Sequence, residues 1–553
     1  MQIATALIEA LHRRGVRRVY GVPGDYVLGL FARLEASPIE VICTAGEEGA
    51  GFAADAHARL QGLGVVVVTY GVGALKLLNP IAGAYAERSP VLVISGAPGV
   101  RESDAHALLH HRIRAENTQL RFFQEVTAET AVLDSGRTAA AELGKVLEAM
   151  QRESRPGYLE IPRDCLEREI VWPVDLTPVV SPPAPIPQPL RAQGERWLAW
   201  LRGRSRPLVL AGVEVARFGL QSLLRELLER EGWPLVTSLS GKTLLSERHP
   251  CRLGVYEGAM ARPQVRQQVE ASDGVLVLGM PFNDLDTGLF TMQLPETQML
   301  VVDVERGLRC GTEHDENLDP HTLLRIWAEA GGPQAVQRLA AEAVPDASGE
   351  TAPTPFSPQA GQPIRVTRLM QAIDASLPAQ AVVLADPGDA LFAAADLRLQ
   401  EANTFLSSSF WASLGFALPG AVGAWGAAPE RPPVVLLGDG ALLMCASELA
   451  TLARYRIPAL VIVLDNQGYG TERPMLDGAF NDVQQLDHRS LAMGLGIPIS
   501  ERLETEEELW ESLQRWQQHR AGPVLLSVAI SAGDQSPALQ RLTAALATRV
   551  RSG

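Results

Sequence analysis

Short β-branched runs alternate with longer helical patterns along this chain, and that alternation constrains its fold more than any other feature. The runs VIC (41–43), VVVVTY (65–70), VLVIS (91–95) and YLEIP (158–162) fall in a first block. PLVLAG (207–212), PLVTS (234–238), VLVLG (275–279) and LVVDV (300–304) fall in a second. AVVLAD (381–386), PVVLLGD (433–439), ALVIVLDN (459–466) and VLLSVAI (524–530) fall in a third. Near-continuous apolar strands separated by helices are the signature of parallel sheets covered on both faces. The expected fold class is α/β, with three doubly wound domains and mainly parallel sheets. That architecture alone specifies no chemistry.

With 553 residues the chain exceeds what one hydrophobic core serves. Two proline-rich or low-complexity stretches divide it, at 172–190 and from about Gly331 to Pro363. The expected domains are therefore 1–172, 190–335 and 360–545. A formal net charge of −15 argues against nucleic acid as the main partner. No apolar run is long enough to span a bilayer, so no membrane partner is expected. The opening MQIATALIEALHRRGV reads as an amphipathic helix and lacks the pattern of a signal peptide. Five scattered cysteines form no CxxC pair, which suits reduced thiols in a cytoplasmic protein.

The strongest motif lies in the third block. The strand PVVLLGD ends in Gly438-Asp439-Gly440 and runs into a helical pattern, ALLMCASELATLARYR. The next strand ends in Asp465-Asn466, followed by Gln467-Gly468-Tyr469. Asn466 lies 27 positions after Asp439, the interval of one β-α-β unit. Both residues then arrive at the carboxyl ends of neighbouring strands, where such sheets bind ligands. The donor types fit magnesium, which prefers oxygen ligands and bridges carboxylate to phosphate. Asp439 supplies charge, Asn466 an amide oxygen, and the turn at Gly468 a backbone carbonyl. The glycines flanking Asp439 allow backbone N–H groups to approach a phosphate at a helix start. A lone GDG is a weak signal; GDG followed by DN at this interval is a much stronger one.

These residues resemble the cofactor motif of the thiamine diphosphate enzymes, GDG followed about one β-α-β unit later by NN; Asp465-Asn466 stands here in place of NN and keeps the second, metal-ligating asparagine. The resemblance implies thiamine diphosphate with Mg2+ held by Asp439, Asn466 and the Gly468 carbonyl. It also implies cofactor contacts from Gly438, Gly440, Tyr469, Asp389 and Ser413. FAADAHAR in CTAGEEGAGFAADAHARL (43–60) resembles the family's YAADGYAR and places the cofactor-activating glutamate at Glu47. In the family that carboxylate, bonded to the pyrimidine ring, favours the tautomer that deprotonates the thiazolium carbon, and the task is one of positioning. FWASLGFALPG (410–420) resembles the segment whose aliphatic side chain props the bent cofactor, here Leu414. Glu47 and the metal motif lie in different domains. In the resembled enzymes they meet across a subunit interface, which implies an obligate homodimer with shared sites, assembled further into a homotetramer.

Further motifs narrow the class. Gly21-Val22-Pro23-Gly24-Asp25-Tyr26 resembles the GVPGD(F/Y) segment of pyruvate, indolepyruvate and phenylpyruvate decarboxylases. His110-His111 resembles their paired histidines, and Tyr469-Gly470-Thr471-Glu472-Arg473 their GYT(I/V)E stretch. The resemblance implies non-oxidative decarboxylation of 2-oxo acids to aldehyde and CO2, through a ylid and an enamine. Asp25, His110, His111 and Glu472 would hold and move protons. Seen alone, each has an ordinary reading: Asp25 as a turn residue after Pro-Gly, the histidines as surface polar groups, Glu472 on a solvated face.

By the same alignment Thr471 replaces the larger isoleucine of pyruvate-preferring members. A smaller wall enlarges the pocket and favours aromatic, branched or long-chain 2-oxo acids over pyruvate, with Met475 able to narrow it again. Three other readings compete with this one. An acetohydroxyacid-synthase-like or benzoin-type carboligase would make a hydroxyketone and typically lacks GVPGD and the histidine pair. A cofactor-free paralogue predicts the loss of Glu47, Asp439 or Asn466, all of which are present. A nucleotide-binding role for the middle block lacks a full GxGxxG fingerprint after its first strand.

Overall fold

In this computed structural model the described residues are 1–104, 108–170, 184–331, 355–518 and 520–552. Most of both expected linkers, and the boundaries at 172 and 335, lie outside them.

The chain forms three helix-flanked sheets. The first contains β1 (Arg18–Gly21), β2 (Glu40–Cys43), β3 (Gly64–Val68), β4 (Val91–Ala97), β5 (Glu129–Val132) and β6 (Gly157–Pro162). Its order is β2-β1-β3-β4-β6-β5, with every pair parallel. The middle sheet contains β7 (Pro207–Ala211), β8 (Leu235–Thr237), β9 (Arg252–Val255), β10 (Gly274–Leu278), β11 (Met299–Asp303), β12 (Gly307–Cys310) and β13 (Glu313–Asp315). It is parallel from β9 to β11 and ends in an antiparallel edge at β12 and β13. The third contains β14 (Val382–Ala385), β15 (Phe405–Ser407), β16 (Pro433–Gly438), β17 (Leu460–Asp465), β18 (Ile499–Leu503) and β19 (Val524–Ala529). Its order, β15-β14-β16-β17-β19-β18, repeats the first sheet strand for strand, again all parallel. The expected α/β class and mainly parallel sheets are what the chain adopts.

The central strands are covered on both faces. Every residue of β3, β10 and β17 is buried, so continuous Val/Leu/Ile runs suit them where alternation would leave polar groups inside. In the first and third sheets the order reverses between the first and third strands. A crevice opens there at the carboxyl ends. Asp25 and Thr69 to Gly71 follow β1 and β3 at one such edge. Asp389 and Asp439 follow β14 and β16 at the other.

The first and third domains share one core through the helices Glu47–Gln61 and Ala417–Ala427. Both are rich in alanine and glycine, which lets their backbones approach. A methyl group at Gly423 would stand 1.9 Å from the Ala53 carbonyl oxygen. Phe52 and Phe416 close one end edge-to-face, with ring centroids 5.7 Å apart. Gly423→Ala is therefore expected to force the helices apart and cost about 1–3 kcal/mol or more, read as a lowered urea midpoint.

Candidate active site

The diphosphate-type motif assembles where β16 and β17 end. The two strands pair in register up to Gly438 and Leu464, so Asp439 and Asp465 leave the sheet side by side. Asp439 begins the helix Asp439–Cys445, with Gly438 as its extended cap residue. Its carboxylate accepts the Gly440 N–H at 2.7 Å and is only 3% exposed. Burial pushes its carboxyl up to about 6. Asn466 presents a buried Oδ1 with no hydrogen-bond partner. A buried amide oxygen left unpaired is costly and calls for a donor or a cation. Gln467 adopts a left-handed conformation (φ 61°), and the Tyr469 N–H is held by the Asn481 carbonyl at 2.9 Å, fixing the turn at Gly468. A methyl at Gly440 would meet the Tyr469 ring at 2.6 Å, whereas the space beside Gly438 is open.

Across the crevice, Asp389 heads the short helix Asp389–Ala394. Its Oδ2 accepts the Ser536 N–H at 2.8 Å, and its Oδ1 is buried without a partner. Leu414 sits on a loop held from below by Asp386, a buried carboxylate that accepts the N–H groups of Gly415 (2.9 Å) and Ala417 (2.7 Å). Burial raises the Asp386 carboxyl to about 7 against those bonds. Ser413 is tied to the N-terminal domain instead, through Asn79 Nδ2 at 3.0 Å; the same amide donates to Glu48 at 2.9 Å.

Glu47 starts the helix Glu47–Gln61, is 8% exposed, and pairs with Lys76 Nζ at 2.9 Å. The turn before it is anchored by Glu448 of the third domain, whose carboxylate accepts the N–H groups of Ala45 and Gly46. Asp25, His110 and His111 form a second group at the edge of the first sheet. Asp25 Oδ2 and His110 Nε2 are 2.9 Å apart, and the two imidazoles meet edge-on at 4.4 Å. Glu472 and Met475 lie on the segment after Gly470, where the Glu472 N–H donates to the Tyr469 carbonyl at 3.1 Å. Both are exposed, Met475 by 68%, and Arg473 braces that segment through Asp477 and Asp482. Thr471 is half-buried there.

A support beneath the histidines escaped the sequence reading. His111 adopts a left-handed conformation (φ 68°) and is seated on Gly71, also left-handed (φ 69°). A methyl at Gly71 would lie 2.5 Å from His111 Cβ. The Gly71 N–H is held by buried Gln119 Oε1 at 2.6 Å, and Gln119 Nε2 donates to Ser95 Oγ (2.9 Å) and Tyr158 OH (2.6 Å). Tyr158 in turn donates to buried Glu160 at 2.7 Å, whose carboxyl burial raises to about 7. Gly71→Ala is expected to cost about 1–2 kcal/mol from left-handed backbone strain and to displace His111. Denaturant unfolding measures the first, and the histidine ring signals in proton NMR report the second.

Comparison with known proteins decides the family. The N-terminal TPP-binding domain of thiamine pyrophosphate enzymes matches residues 1–120, the central domain 195–308 and the C-terminal TPP-binding domain 386–528. An indole-3-pyruvate decarboxylase of Azospirillum brasilense is 34% identical over 98% of this chain and 97% of its own length. Alpha-keto-acid decarboxylases of Mycolicibacterium paratuberculosis and Mycobacterium ulcerans are 31% and 30% identical, over 95% and 98% of this chain and 93% and 95% of their own lengths. The chain belongs to the thiamine-diphosphate-dependent 2-oxo-acid decarboxylases. The enzyme is thus a carboxy-lyase built on two TPP-binding domains and a central domain, as the motifs implied. Its two TPP-binding domains are those whose sheets share one strand order. Among the described residues no helix is long and apolar enough to cross a membrane.

Proposed function

We propose that this decarboxylase acts on aromatic, branched or long-chain 2-oxo acids in preference to pyruvate, with Mg2+ anchoring the diphosphate at Asp439, Asn466 and the Gly468 carbonyl. The observation that carries the metal assignment is the buried, unpartnered Asn466 Oδ1 beside the buried Asp439 carboxylate. An all-oxygen pair of this kind suits Mg2+, which keeps further positions for phosphate and water. Gly438, Gly440, Tyr469, Asp389 and Ser413 then line the cofactor, and Leu414 supports it from the loop that Asp386 holds. When bound, thiamine diphosphate supplies the electron sink that lets CO2 leave. Glu47 holds a proton at the pyrimidine side, and burial together with Lys76 fixes its direction. Asp25, His110 and His111 hold and deliver the proton that the former carbonyl carbon receives, with Glu472 as the fourth proton-carrying group.

The substrate preference rests on Thr471. Met475, four positions further on, is 68% exposed in the single chain. The name of the Azospirillum relative points to a large aromatic acid. Thr471→Ile is expected to shift relative kcat/KM toward pyruvate by about tenfold or more.

The complete site is that of a homodimer, further paired as a homotetramer. Glu472 and Asp25 belong to different domains and stand exposed, and Phe410, Trp411, Met444, Leu476 and Phe480 expose apolar surface that a second copy would cover. Five free cysteines suit a reducing cytoplasm. The test is aldehyde and CO2 release with thiamine diphosphate and Mg2+ across pyruvate, phenylpyruvate, indolepyruvate and branched 2-oxo acids. Fastest turnover of the larger acids supports the reading. Pyruvate as the best substrate overturns the preference, and a hydroxyketone as the main product overturns simple aldehyde release.

A further inference from the structure

We infer that Asp25, His110 and His111 form a binding site for a divalent transition-metal ion of the zinc and cobalt class, separate from the Mg2+ position. One ligand atom from each of the three lies within 4.8 Å of the others. His110 Nε2 and Asp25 Oδ2 are already 2.9 Å apart. Metal bonds of about 2.0–2.1 Å at a tetrahedral angle separate ligand atoms by roughly 3.3 Å, so a small side-chain adjustment admits the ion.

The surroundings prepare the set. Tyr26 OH lies 3.4 Å from His110 Nδ1, which leaves Nε2 directed at Asp25. His111 is held over Gly71 by its left-handed backbone, with its ring edge-on to that of His110. Side-chain exposures of 55% for His110 and 43% for Asp25 in the single chain show that its own fold does not bury the ligand atoms.

The donor chemistry selects the ion. Two imidazoles and one carboxylate, with a fourth position open to water, suit zinc or cobalt. Magnesium prefers an oxygen-only octahedral shell, so it does not compete well here. The ion occupies the lone pairs that would otherwise take up protons. If these groups move protons as proposed above, occupancy halts turnover; binding itself does not depend on that reading.

The test titrates the holoprotein, in excess thiamine diphosphate and Mg2+, with Co2+ and follows its visible absorption. The expected result is one cobalt per chain with the intense bands of a low-coordinate site, persisting in excess Mg2+. Asp25→Asn and His111→Asn are each expected to weaken binding by more than about tenfold. Full-strength bands in both variants, or bands abolished by Mg2+, overturn the site. Zn2+ is then added during turnover at the same Mg2+ concentration. Cobalt bound at these ligands with turnover unaffected by zinc upholds the metal site and overturns the proton-transfer role.

Discussion

Glu47→Gln is expected to lower turnover about 10²- to 10⁴-fold, the range of a lost proton-handling group, while leaving the fold and cofactor binding in place. The substitution is nearly isosteric and keeps the helix start at Glu47–Gln61. The ion pair it removes involves Lys76, whose side chain is 62% exposed, so little stability depends on it. What disappears is a fixed carboxylate, 8% exposed, at the head of a helix anchored by Glu448. Steady-state kcat at saturating thiamine diphosphate measures the effect, and a thermal shift with cofactor shows that binding survives. Near-normal kcat would remove Glu47 from the reaction.

Asp439→Ala is expected to abolish the stabilisation that thiamine diphosphate and Mg2+ give together, and turnover with it. At a ligand concentration of 100 times Kd the intact protein gains about 2.7 kcal/mol; the variant gains nothing measurable. Its cofactor-free form should be at least as stable as the cofactor-free parent, because a carboxylate 3% exposed is costly until a cation meets it. Opposite signs in the two states separate a lost ligand from general damage. Calorimetry with and without cofactor reads both, and undiminished cofactor stabilisation in the variant would rule Asp439 out as the anchor.

The strands most legible in the sequence are the long central ones buried on both faces, because only continuous apolar runs survive there. Val65–Val68 and Leu460–Leu464 are of this kind. Several strands with polar or half-buried residues give no such run: Glu129–Val132 and Ile499–Leu503 at sheet edges, and the hairpin pair Gly307–Cys310 and Glu313–Asp315. The helical pattern ALLMCASELATLARYR divides into two helices, Asp439–Cys445 and Glu448–Arg454, and Glu448 turns its carboxylate toward Ala45 and Gly46. Asp439 and Asn466 stood out because both sit one strand-helix-strand interval apart in a local motif. Asp386 under Leu414 and Gln119 under Gly71 did not, since each works through backbone N–H groups 29 and 48 positions away.

The pairing of Glu47–Gln61 with Ala417–Ala427 bears on synthesis in the cell. The first helix leaves the ribosome about 360 residues before its partner exists. At ~5–20 residues per second this is roughly twenty to seventy seconds. Throughout that interval the surface around Ala50, Ala53 and Phe52, destined for the shared core, faces water or a chaperone. The N-terminal domain is therefore the first to be made and among the last to be finished, and a truncated transcript ending before Ala417 yields a domain with its alanine face bare.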